Sequence, residues 1–101
     1  MGILMSLTVL LDLHLKADAL AGAPAMLREI LAGTRAFDGC LGVDVLIDSE
    51  DPAHLILLER WASVEADAAY REWRAGAGAT NLGTLVASPP LLLRFETATD
   101  F

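Results

Sequence analysis

The chain has 101 residues, of which 54% are hydrophobic, and carries 14 acidic against 7 basic side chains for a net charge of −7. That length sets a single domain over residues 1–101, with an ordered core from about residue 8 to 97, and an apolar content larger than one small core absorbs. The acidity excludes attraction to a phosphate backbone, so no nucleic-acid partner is expected.

The opening Met1-Gly2-Ile3-Leu4-Met5-Ser6 formally matches an N-myristoylation pattern, a short signal of low specificity. It does not read as a signal peptide: no basic segment precedes the apolar stretch, which Asp12, His14 and Lys16 interrupt. The apolar runs fall short of the ~20 residues a membrane helix needs. A soluble cytoplasmic protein with no membrane partner is therefore expected, and the single Cys40, which has no intrachain partner, fits a reducing compartment and reads as a small buried hydrophobe beside a strand start.

Along the chain, Val9, Leu11, Leu13 and Leu15 alternate with Thr8, Leu10, Asp12 and His14, the signature of a half-buried strand. Pro24 pre-sets a first helical turn, and Leu20, Leu27, Ile30, Leu31 and Thr34 recur at helical spacing, which predicts a helix over 20–36. Asp38-Gly39 breaks it. A second strand follows with Leu41, Val43, Val45 and Ile47 on one side and Gly42, Asp44, Leu46 and Asp48 on the other. Ser49-Glu50-Asp51-Pro52 then turns the chain into an antiparallel third strand from about Ala53 to Trp61. Ser63 is a good N-cap for a second helix, with Glu65 and Asp67 in its first turn and Arg71 and Arg74 toward its end. Asn81 can cap a short turn, Ser88-Pro89-Pro90 stops it, and Leu91 to about Thr97 is the last strand. The order is the βαββαβ of a ferredoxin-like α+β domain with a four-stranded antiparallel sheet.

Two helices cover one face of such a sheet, so the other face meets water or a partner. On alternation that outer set is Thr8, Leu10, Asp12, His14, Asp44, Leu46, Asp48, His54, Ile56, Leu58, Arg60, Leu92, Arg94 and Glu96. Its mixture of aliphatics and opposite charges predicts a homodimer packed sheet to sheet, with Arg60 and Arg94 pairing with Asp12, Asp44 or Glu96; the alternative is a monomer with a partly apolar sheet. His14 and His54 stand apart in sequence with no Cys or carboxylate at zinc-like spacing, so no metal site is expected, and no phosphate-binding glycine motif or nucleophile elbow is present.

Glu59 shares the parity of Leu55, Leu57 and Trp61, which aims a carboxylate between sheet and helices. Two readings stand: a strand-end carboxylate bonded to a backbone amide, an Arg or the Ser63 turn, or a base in a pocket. Tyr70 and Trp73, three apart on the second helix, share a face that should meet Trp61. Each Trp reads first as core, whereas a buried Tyr70 hydroxyl needs a partner, and a planar aromatic ligand stacked among these rings and bonded by Tyr70 is one such partner.

Three segments together resemble the antibiotic-biosynthesis-monooxygenase group of dimeric α/β-barrel proteins: Gly39-Cys40-Leu41-Gly42, the acidic Asp48–Pro52 turn, and Glu59-Arg60-Trp61 followed by Ser63 and Glu65. The likeness runs from Val9 to about Phe95. It implies a homodimer with one pocket per subunit, and oxidation of a polycyclic phenol or quinol by molecular oxygen without a cofactor. The candidate catalytic residues are then Glu59 as proton acceptor and Tyr70 as orienting group, with Trp61 and Trp73 shaping the substrate cavity. Tyr70 stands where many relatives carry His, so that acid–base assignment does not transfer. Haem-degrading relatives carry a Trp near the Tyr70 position, a later His and a first-strand Asn; here Tyr70, a residue near Thr80 and an aliphatic near Leu11 occupy those places, which disfavours haem degradation. A non-catalytic small-molecule-binding or structural dimer is the alternative, and an isomerase of a small hydroxy-ketone a third reading.

Overall fold

In a computed structural model, which describes residues 6–101, the alternating segments form four strands in the order β2-β3-β1-β4, every neighbouring pair antiparallel. The elements are β1 (Leu7–His14), α1 (Ala23–Ala36), β2 (Cys40–Asp48), β3 (Asp51–Trp61), α2 (Val64–Ala75) and β4 (Leu91–Glu96), with short 3-10 turns at Ala17–Ala19 and Leu82–Thr84. This is the expected ferredoxin-like arrangement. The amino-terminal acylation pattern falls on residues that are, but for Ser6, outside the described ones.

Local chemistry sets the boundaries. Helix α1 starts at Ala23, three residues after Leu20, because Ala17–Ala19 forms its own turn and Pro24 fixes the first turn of the longer helix. Ser63 caps α2 as expected, its hydroxyl accepting the Ala66 amide at 3.1 Å; such caps contribute about 1 kcal/mol. The β2–β3 turn is closed by Asp48 and Asp51, whose carboxylates accept the Glu50 and Ala53 amides at 2.9 Å each. Asn81 makes no side-chain cap; Thr80 Oγ1 instead accepts the Leu82 amide at 3.3 Å.

Several sequence expectations are corrected by the structure, most of them through register. In β2 a bulge between Cys40 and Gly42 puts Cys40 opposite Trp61 and Gly42 opposite Arg60, so Leu41 leaves the helix-facing side and is 59% exposed. The two glycines of this corner are required by shape: Gly39 and Gly42 have φ of +89° and +154°, and a Cβ on them would meet Ala66 Cβ at 2.5 Å and Arg60 Nη2 at 2.8 Å. Val45 and Ile47 point to the helix side yet stay exposed, because α1 does not reach over the β2 edge.

Strand β4 has the opposite parity to the expected one. Val9 pairs with Arg94 and Leu11 with Leu92, so Leu92, Arg94 and Glu96 lie on the helix side, and Leu91, Leu93 and Phe95 lie on the outer face opposite Asp12, Leu10 and Thr8. Arg94 therefore bonds Asp67 on α2 rather than an outer-face acid, whereas Arg60 pairs with Asp44 at 3.0 Å as expected. His14 and His54, far apart in sequence, are brought directly opposite each other by the β1–β3 register.

The core lies between sheet and helices in two clusters. One gathers Leu13, Leu15, Leu27, Leu31, Leu55 and Leu57 under α1. The other gathers Leu7, Val9, Trp61 and Tyr70 under α2. The candidate site sits where they meet.

Candidate functional site

Glu59 faces inward, as its parity requires, and its side chain is only 2% exposed. A carboxylate so placed must be compensated. Trp61, two residues on and hence on the same face, donates its indole N–H to Oε1 at 3.1 Å, and Arg71 Nη2 donates to the same oxygen. Among the described residues Oε2 takes no hydrogen bond, while no buried polar side-chain atom lacks a partner, so Oε2 is left to the adjoining cavity.

Arg71 is held in turn. One helical turn back, Asp67 Oδ1 accepts its Nε at 2.9 Å, and Asp67 Oδ2 accepts Arg94 Nε from β4 at 2.9 Å. Asp67 is buried, so the line Glu59–Arg71–Asp67–Arg94 alternates in sign and ties β3, α2 and β4 together. Sequence reasoning placed Asp67 and Arg71 only as helix-end charges. Their i, i+4 spacing was visible, but the acid and base that complete the line come from distant strands.

Tyr70 is 3% exposed. A guanidinium only donates, so Arg74 Nε donates to the phenol oxygen at 2.8 Å and the phenol proton turns to Thr34 Oγ1 at 2.6 Å. Thr34 is then free to donate to the Ile30 carbonyl at 3.4 Å. Arg74 also donates to Ile30 O at 2.7 Å and Gly78 O at 3.1 Å, pinning α2 and its following loop to α1.

The expected aromatic gathering forms. Trp61 and Tyr70 have ring centroids 4.7 Å apart, Tyr70 and Trp73 6.1 Å, and Phe37, not singled out from the sequence, stands 5.3 Å from both Tyr70 and Trp73. The fully buried Trp61 and the half-buried Trp73 pack behind Tyr70, away from the cavity wall.

Glu59 and Tyr70 border a common cavity of about 230 Å³. Leu11, Leu31, Leu57 and Leu82 form its apolar wall, and Thr34, Glu59, Tyr70, Arg71, Arg74 and Thr80 supply polar groups. Its size is at or below the ~300 Å³ lower end of ordinary ligand pockets, which limits an occupant to a small molecule. A second groove of about 260 Å³, lined chiefly by aliphatics including Leu20, Leu27, Val45 and Ile47, opens between α1 and the β2 edge.

No helix among the described residues is long and apolar enough to cross a membrane. By sequence, no curated protein matches the chain. The fold is shared with solved structures: a Mycobacterium tuberculosis protein at 24% identity and TM-score 0.73, covering 94% of this chain and 97% of that one, and a conserved Methanosarcina mazei protein at 16% and 0.79, covering 94% and 95%. A structure described as an antibiotic biosynthesis monooxygenase aligns at 22% identity and TM-score 0.75, covering 92% of this chain and 99% of that one. At these identities the likenesses carry the fold alone, but the sequence profile of one family matches residues 6–81, three-quarters of the chain, and on that match the protein belongs to the antibiotic biosynthesis monooxygenase family.

Proposed function

We propose that the protein is a cofactor-independent monooxygenase acting on a small aromatic phenol or quinol, working as a cytoplasmic homodimer with one cavity per subunit. The observation that carries the reading is the buried Glu59 carboxylate, with one oxygen bonded to Trp61 and Arg71, lining a cavity that Tyr70 shares. Glu59 Oε2 takes the hydroxyl proton of a phenol whose ring tautomer carries a methylene carbon. The electron-rich anion reduces molecular oxygen; one oxygen atom becomes the new carbonyl on that carbon, and the other leaves as water with the two hydrogens lost. Arg71 suits this cycle. When Glu59 is neutralised, the guanidinium keeps Asp67 as its counter-charge.

Trp61 and Trp73 contribute by fixing the Tyr70 ring from behind, and Tyr70 by presenting an aromatic wall to the substrate. The homodimer is supported by the outer sheet face, where Leu46, Leu91, Leu93 and Phe95 are 42–59% exposed and lie in register with the half-buried Leu10, Ile56 and Leu58.

Oxygen uptake with a panel of anthrones and quinols tests the activity. Turnover is expected, with Glu59→Gln lowering kcat by about 100-fold or more, the share of a general base. No turnover above the buffer rate, or a Glu59→Gln variant equal to the parent, overturns it. A non-catalytic binding dimer is the second reading, favoured by the Tyr70 hydroxyl's bonds to Thr34 and Arg74, which occupy it within the chain. It predicts that the same compounds bind and quench Trp fluorescence while oxygen uptake stays at background.

A further inference from the structure

On the face of the sheet turned away from the cavity, Asp12 and His14 of β1 meet His54 of β3, with donor atoms all within 4.8 Å of one another. The cluster begins at the end of β4, where its first residue, Leu91, is opposite Asp12, and extends past it, so it occupies the rim of the apolar outer face rather than its middle. We propose that Asp12, His14 and His54 bind one divalent transition-metal ion of the zinc type.

The donor set is the first argument. Two imidazoles and a carboxylate, with a remaining position open to water, suit a borderline cation better than calcium or magnesium, which seek oxygen alone. Spacing is the second. Bonds of about 2.0–2.1 Å at tetrahedral angles hold neighbouring donors about 3.3 Å apart. His14 Nε2 lies 3.3 Å from Asp12 Oδ1, and His54 Nε2, now hydrogen-bonded to that oxygen at 2.8 Å, needs to open by about 0.5 Å.

The third argument is independent of the three donors. Asp48, from β2, holds His54 Nδ1 at 2.8 Å, which aims Nε2 at Asp12 and fixes the ring in the way a carboxylate behind a metal-bound histidine does. The two imidazoles now stack in parallel with centroids 4.5 Å apart, an arrangement in which one ion cannot lie in both ring planes. His14, whose side chain is 55% exposed, is the ring that turns onto the shared point, whereas His54, 25% exposed, is locked by Asp48. On binding, the ion takes the place of the proton between His54 Nε2 and Asp12 and supplies the positive charge that Asp12 and Asp48 face.

The experiment is a titration of EDTA-treated, dialysed protein with Zn²⁺ against a chromophoric chelator, and with Co²⁺ by absorption. One ion per chain is expected, with Co²⁺ giving d–d bands and no thiolate charge-transfer band. Histidine variants His14→Ala and His54→Ala should lose binding, and Asp48→Asn should weaken it about 10-fold or more, all three with circular dichroism unchanged. Since His14 is largely exposed, its removal tests the site without threatening the fold. Absence of saturable binding, a thiolate band that implicates Cys40, or affinity unaltered in His14→Ala overturns the proposal, and none of these results bears on the cavity.

Discussion

Replacing Arg71 by Met keeps most of the side chain's volume and removes its charge. Glu59 and Asp67, with side chains each 2% exposed, are the groups that feel the loss: Glu59 keeps only the Trp61 N–H, and Asp67 keeps only Arg94. Breaking a buried pair from one side costs about 3–5 kcal/mol. Arg71 is itself 22% exposed, so water can enter beside Glu59 and the lower end applies, about 3 kcal/mol. In a domain of this length 1 kcal/mol moves Tm by about 4–8 °C, which sets a fall of about 12 °C or more. Arg94→Met is the control. Arg94 is 50% exposed and its acid retains Arg71, so that change should cost about 1 kcal/mol or less. The double variant Glu59→Gln with Arg71→Met removes both charges and keeps an acceptor for the Trp61 N–H, so it should be more stable than Arg71→Met alone. Urea unfolding followed by circular dichroism at one protein concentration measures these three variants, the single variant Glu59→Gln and the parent, since association would couple to stability. If Arg71→Met costs no more than Arg94→Met, or if the double variant loses the sum of its single changes, the account of Glu59 as a buried charge held by Arg71 is wrong.

The outer-face His54 is held above its ordinary value of 6.5, first by its bond to Asp48, then by its bond to Asp12, and Asp48 is held below 3.8 chiefly by the same histidine. The stability His54 adds is therefore complete below pH 6.5 and lost as pH rises through its elevated value, while that of Asp48 is complete above pH 3.8 and lost as pH falls through its depressed one. In chelator-treated protein, a proton NMR titration should place the His54 midpoint above 6.5, with Asp48→Asn lowering it more than Asp12→Asn; a midpoint at or below 6.5 refutes the pairing of His54 with Asp12 and Asp48. Gly39→Ala brings a Cβ to 2.5 Å from Ala66 Cβ at a φ of +89°, and should destabilise the protein by about 1–3 kcal/mol, partly relieved by adding Ala66→Gly, which removes the collision and leaves the backbone strain. Leu93→Asp puts a charge in the apolar outer face and should convert the sedimenting mass from two chains to one; an unchanged mass refutes the sheet-to-sheet dimer.

Most of the fold was legible because each element carries its own local signal. Alternation marked the strands, Pro24 and Ser63 marked helix starts, and Asp48 and Asp51 closed the hairpin with the turn chemistry their side chains permit. The inward direction of Glu59 followed from counting in twos along β3. What local signals do not encode is register across the sheet. Nothing near His14 announces His54, which the β1–β3 pairing sets opposite it, and nothing near Asp67 announces Arg94, which the β1–β4 register turns toward α2.

Strand β4 shows how much one step of register decides. Its six residues, Leu91-Leu92-Leu93-Arg94-Phe95-Glu96, offer aliphatics to both sides at first and leave the last three to settle the parity. Alternation weighs the apolar row Leu91, Leu93 and Phe95 against Leu92, Arg94 and Glu96, and on its own favours turning the apolar row to the helices. That preference is overridden from outside: Asp67, buried on α2 with one oxygen already taken by Arg71, requires a donor for the other, and Arg94 supplies it only if it faces the helices. Satisfying that carboxylate turns Leu91, Leu93 and Phe95 outward as a consequence. The same bond that completes the charge line behind Glu59 thus removes Arg94 and Glu96 from the outer face and replaces them with three large apolar side chains. The site on one side of the sheet and the apolar surface on the other are two results of one register, and that surface supports the proposed dimer more strongly than the expected arrangement of charges would have done.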